Sequence, residues 1–220
     1  MARGQHELGL RGAWRRVLAR QLSGTLTSEA TPGEVATRCL TNIAGGPKIT
    51  GNAALTSLTG LDSLHTVERS AIIAGNNRLK SLSGLERLTY VYDNLEIVSN
   101  PALTSISSLG NLSRVVDQLT VRDNPALTSL VGLEYLSEAE YILIQGNHRL
   151  TDLTGLGSLN TLKGIHVKNN DGLTSLAGLD AFPTKIGWVT VSGNDALTSL
   201  AGLDNSKCCA TRSSSATTPR

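Results

Sequence analysis

The sequence predicts a mainly β solenoid of about seven coils, and three observations carry that prediction. Seven asparagines (Asn52, Asn76, Asn100, Asn124, Asn147, Asn170 and Asn194) recur at intervals of 24, 24, 24, 23, 23 and 24 residues, a regularity that marks a repeat array. Each is followed at plus three, six and nine by leucine, with Ile106 the one substitute. From the second onward each is preceded, five and three residues upstream, by an apolar pair: Ala71/Ile73, Leu95/Ile97, Leu119/Val121, Ile142/Ile144, Ile165/Val167 and Val189/Val191. An apolar, any, apolar triplet rich in β-branched residues reads as a short strand with one face buried. Each coil then adds one strand to a parallel sheet, and only the first unit deviates, with Pro47/Ile49.

The chain in order supports that frame. Residues 1–24 carry Arg3, Arg11, Arg15, Arg16 and Arg20 with Trp14, Val17, Leu18 and Leu22, which reads as a disordered basic leader. A transit peptide and an amphipathic helix lying on an anionic membrane stand beside that reading. Residues 25–46 form an N-terminal capping segment. Within it Thr31-Pro32-Gly33-Glu34 has the form of a capping box with proline at the first helical position. Val35, Ala36, Cys39, Leu40 and Ile43 follow at helical spacing, so a short helix over residues 31–43 is expected to cover the first coil.

The array proper runs over residues 47–204. Its asparagines stand where each strand ends and the chain turns, and their amides can pair with backbone groups that a turn leaves without partners. Stacked, the seven form a structural ladder. Glycine at plus eight (Gly60, Gly84, Gly132, Gly155, Gly178 and Gly202, with Ser108 in the third coil) marks the next corner. At plus twelve the leucine column gives way to Phe182 and then Ser206. No closing cap is visible there, and residues 205–220, rich in serine and threonine, read as a disordered tail.

The run of strand, asparagine, two residues, Leu-Thr-Ser-Leu, one residue, Gly-Leu resembles the receptor L-domain branch of the leucine-rich repeat superfamily over residues 47–204. The common leucine-rich repeat places one residue between its asparagine and the next leucine, whereas Asn124-Pro-Ala-Leu127 and its relatives place two. The resemblance implies a right-handed β-helix-like solenoid of extracellular or cell-surface habit that binds a protein ligand. No apolar signal-peptide core opens the chain, and no apolar run approaches the ~18 residues of a membrane helix.

Charge and chemistry narrow the function. The formal net charge is +2, but residues 47–204 hold 11 Lys+Arg against 15 Asp+Glu, while the flanks hold 9 against 3. Basicity belongs to the flanks and leaves no basic groove on the array, which argues against nucleic acid. Cys39, Cys208 and Cys209 have neither zinc-site nor redox-pair spacing. There is no Walker loop, His-Glu-x-x-His, nucleophile elbow or dinucleotide fingerprint, so the chain reads as a non-enzyme without cofactor or metal. His148, Asp171 and Asp195 stack at plus one, a column that could hold a cation or be solvated turn residues. A threonine column at plus four, such as Thr104, Thr128 and Thr174, could match an ice lattice or simply reflect β-propensity. Asn111-Leu-Ser113 is a lone glycosylation sequon.

What remains is recognition. The outward positions six and four before the asparagine share one strand face and bring Tyr141, Leu143, His166 and Trp188 together as a partner-binding site. Gly164 lies between the columns of Tyr141 and Trp188, so the two rings are expected to flank a gap roughly 9–10 Å across. Alternatively Trp188 folds inward as a partial cap. The reading from a second class is a cell-wall or matrix building block that self-associates through its uncapped last coil.

Overall fold

The computed structural model describes residues 41–180 and 186–203, and within them every strand belongs to one ten-stranded parallel sheet wound into a solenoid of about six turns. One ladder joins β2 (Lys48–Thr50), β4 (Ala71–Ala74), β6 (Leu95–Val98), β7 (Arg114–Arg122), β8 (Glu138–Gln145), β9 (Gly164–Lys168) and β10 (Trp188–Ser192). Its register is that of the repeat: Ile49, Ile73, Ile97, Val121, Ile144, Val167 and Val191 stand opposite one another in succession. A slip of one residue in any coil would turn its whole apolar set outward. The buried alternate positions therefore fix the register.

A second, shorter ladder was not anticipated. β1 (Asn42–Ile43), β3 (Thr66–Val67) and β5 (Tyr90–Val91) pair in turn and continue onto the first residues of β7 and β8. Ile43, Val67, Val91, Val115 and Ala139 form its buried column. Ile43 is thus a strand residue, not the end of a helix: it pairs with Val67, and its side chain enters the array core. The rest of the expected capping helix, the basic leader and the tail lie outside the described residues. Sheet pairing begins five residues before the boundary at Pro47.

In coil four the repeat shortens to 23 residues and the two ladders merge. Val115 pairs with Ala139 and Gln118 with Tyr141, so Val116 and Asp117 stand opposite Glu140 alone as a bulge. The missing residue is absorbed at this corner, and the leucine columns on either side stay in line.

Between ladders the chain advances in three-residue turns. The Leu79 N–H donates to the Asn76 carbonyl, Leu85 to Leu82 and Leu88 to Leu85, and each turn returns the next leucine to the inside. That is the physical basis of the plus three, six, nine and twelve spacing. Leu127, Leu130, Leu133 and Leu136 are fully buried in coil four, and each such side chain is worth about 1.5–3 kcal/mol in removed apolar surface. The glycine column has a steric cause. Gly84 has φ 113°, and a Cβ there would collide with the Leu58 carbonyl of the coil before. Coil three, with Ser108 in that position, instead forms a single 3-10 turn at Ser107–Leu109.

Candidate functional site

The asparagine ladder is internal. Asn76, Asn100, Asn124, Asn147 and Asn170 are fully buried. The Asn100 N–H and Nδ2 both donate to Oδ1 of Asn124, at 3.0 and 3.3 Å, and Nδ2 also reaches the Ile73 carbonyl at 2.9 Å. The pattern runs from Asn52, whose N–H meets Oδ1 of Asn76, to Asn170, whose N–H meets Oδ1 of Asn194. From Asn76 to Asn170 every side-chain amide is occupied by backbone or by its neighbour, so this buried run of the column has no group to offer a ligand.

The residue before each asparagine is left-handed throughout. Gly75 is one example with φ 65°, but Ser99, Asp123 and Asn169 hold φ of 54°, 55° and 52°. Side chains there carry a steric cost that glycine avoids. The sequence shows this column as Gly, Ser, Asp or Asn before each Asn, the residue types that tolerate αL best, and it went unread.

On the outward strand face, the four predicted residues do come together. Leu143 on β8 and His166 on β9 are register partners. The Trp188 ring turns back over Gly164, stacks on Tyr141 with centroids 5.9 Å apart and 15° between planes, and tilts against His166 at 4.2 Å. The expected gap between Tyr141 and Trp188 is therefore filled, by Trp188 itself. Nor does Trp188 fold inward: it stays on the outer face and spans three strands. All four side chains are half-buried. Nδ1 of His166 is enclosed without a hydrogen-bond partner. Burial first, and the charge of Lys168 second, hold its pKa below the ordinary imidazole value. Lys163 and Glu140 form an ion pair beside the rings.

A second aromatic group lies on the short-ladder face and was missed. Tyr90 and Tyr92 meet with centroids 4.4 Å apart, the Arg114 guanidinium lies 5.3 Å from the Tyr90 centroid, and Arg114 Nε is 2.6 Å from Glu138. Tyr92 is 50% exposed and Tyr135, on a turn, 71%. The alternation Tyr90, Val91, Tyr92 around an inward valine was the available signal.

The other candidates resolve locally. His148 Nδ1 is 2.8 Å from Asp171 Oδ2, but Asp195 does not complete a cluster, and the described residues contain no group of three metal-ligating side chains. In the threonine column, the Thr104 and Thr174 hydroxyls donate to the carbonyls of Lys80 and Thr151 in the coils before them. These threonines lie between turns, outside the named strands, where their hydroxyls cap carbonyls of the neighbouring coil. At plus five, Ser129 and Ser175 accept the N–H two residues on, and Asp152 does so in coil five. Burial raises the Asp152 pKa, but hydrogen bonds from Thr154 and Thr151 outweigh it and leave a net lowering. Asn111 is exposed, with Nδ2 donating to the Glu86 carbonyl. No helix among the described residues is long and apolar enough to cross a membrane. Compared with models of known protein families and with curated proteins, the chain matches none.

Proposed function

We propose that the chain is a protein-recognition module, a right-handed leucine-rich solenoid of receptor L-domain type that binds a protein ligand through the strand face of coils five to seven. The observation that carries this reading is the Tyr141, Trp188 and His166 ring stack on the outward face. Tryptophan and tyrosine dominate binding energy at many interfaces, and rings already held by neighbours lose little freedom on binding. Leu143 adds an aliphatic step beside them. Right-handed winding is the hand that parallel strands joined by crossovers adopt, and the two-residue spacing after each asparagine favours the L-domain type. Catalysis forms no part of the reading.

The test is site-specific photo-crosslinking in cells that express the protein, with the reactive group placed at Leu143 or, as control, at the more exposed turn residue Val131. The expected result is one protein partner captured from position 143, absent from position 131, and lost in Trp188→Ala. Identical capture from both positions would overturn the assignment of this face.

A further inference from the structure

We infer that the short-ladder face is a second docking surface, which takes an arginine of an extended peptide from a partner protein onto Tyr92 and the carboxylates around it. This goes beyond the strand-face reading and does not depend on it. The face already shows such an arrangement once, complete. Tyr90, Arg114 and Glu138 are register partners in succession. The Arg114 guanidinium lies 5.3 Å from the Tyr90 centroid, and its Nε is 2.6 Å from Glu138 Oε2. Ring, guanidinium and carboxylate thus occupy neighbouring strands in that order.

Two residues on, the same order recurs without its cation. Tyr92 shares the outward face with Tyr90, and the Asp117 N–H donates to the Asp93 carbonyl, which keeps the two coils in line. Val116, half-buried, therefore stands beside Tyr92 where Arg114 stands beside Tyr90. A valine leaves the space above it open to a planar group from outside. Tyr92 is ready for one: it packs on Tyr90 with centroids 4.4 Å apart yet stays 50% exposed, so the ring loses little freedom on binding.

Charge names the occupant. Val67 pairs with Val91, which sets Glu68 on the other side of Tyr92, and Asp93 and Asp117 follow at the adjoining corner. Glu68 accepts from Asn42 Nδ2, and Asp93 accepts from the Ser70 hydroxyl at 3.5 Å. Among the described residues none of these three carboxylates forms an ion pair. Arg69 lies next to Glu68 in the chain, while Arg114 and Lys163 are matched by Glu138 and Glu140. The surplus around the exposed ring is negative. A cation over a tyrosine face gains from the ring as well as from the carboxylates, and the flat guanidinium stacks and forks in a way that an ammonium does not.

Calorimetric titration of the full chain with an acetylated peptide of alternating glycine and arginine tests this. Binding is expected, weakened at least about fivefold by Tyr92→Ala, retained in Tyr92→Phe, and weakened by Glu68→Gln. The same peptide with lysine in place of arginine should bind less tightly. Tyr135→Ala, which removes a ring 71% exposed on a turn, should leave binding unchanged. Should Tyr92→Ala unfold, NMR of the wild type decides: the amides of residues 91–93 and 116–117 shift as peptide is added. No binding, equal affinity in a folded Tyr92→Ala, equal affinity for the lysine peptide, or shifts that leave residues 91–93 unmoved would each overturn the inference.

Discussion

Coils four and seven open with almost the same words. Asn-Pro-Ala-Leu-Thr-Ser-Leu-Val-Gly-Leu at residues 124–133 and Asn-Asp-Ala-Leu-Thr-Ser-Leu-Ala-Gly-Leu at residues 194–203 share eight of ten positions. Yet Leu127, Leu130 and Leu133 are fully buried, while Leu197 and Leu203 are partly buried and Leu200 is 45% exposed. Asn124 is enclosed and Asn194 is not. The local sequence is equal, so the difference belongs to the neighbours: coil four has one on each side, and among the described residues coil seven has one on a single side. Energy in such an array resides in the contact between successive coils more than in any coil alone.

Equivalent substitutions in the two coils should therefore have unequal effects. The largest difference is expected at plus six. Leu130→Ala empties a sealed layer and should lower stability by about 2–5 kcal/mol, whereas Leu200→Ala should cost less than about 1 kcal/mol; urea melts of both variants measure it, and equal losses would refute the neighbour argument. Next comes the ladder. Asn124→Ala strands the Asn100 N–H and the Ile97 carbonyl and should cost about 1–3 kcal/mol, with Asn194→Ala well below it because water reaches its surroundings.

A smaller change runs in the opposite direction. Ser99→Gly relieves a left-handed serine and should raise the melting temperature, by about 1 kcal/mol of stability or less, where Gly75→Ser, at the equivalent position of the neighbouring coil, should lower it. The smallest effect is a pH dependence at the last coils. His166 titrates lower in the folded protein than in the unfolded chain, so its contribution to stability is complete above the ordinary imidazole pKa of about 6.5. As pH falls the unfolded chain takes up its proton first, and the contribution is lost through the folded pKa. Thermal melts of wild type should decline more steeply below that pH than melts of His166→Gln; parallel curves would remove His166 as the cause.

Much of this was legible in advance because the repeat constrains itself. Register, the inward columns and the ladder asparagines follow from period and alternation alone. The second ladder was not: strands of two residues carry one inward side chain each, and Val67 or Val91 looks like one more member of the leucine series. Ile43 fitted a helical spacing equally well, since Ala36, Cys39, Leu40 and Ile43 satisfy it, and only pairing with Val67 distinguishes the two. At the candidate site, sequence placed Tyr141, Leu143, His166 and Trp188 on one face and identified Gly164 as a missing side chain. It did not reveal what would fill that space. A vacancy beside a large aromatic is filled by a choice of rotamer, which depends on the ring across the gap and the imidazole beneath it.

The bulge at Val116 and Asp117 has a bearing on how such a molecule can lengthen. Where the repeat passes from 24 to 23 residues, the leucine columns continue uninterrupted because the difference in length is taken up at that outer corner. A segment whose residue count already varies, and which lies at the surface away from the packed layers, is where inserted loops are best tolerated. Grafts after Val116 would project beside the Tyr141 face while leaving the ladder in phase, so new specificity could be added to the array one loop at a time without redesigning its interior.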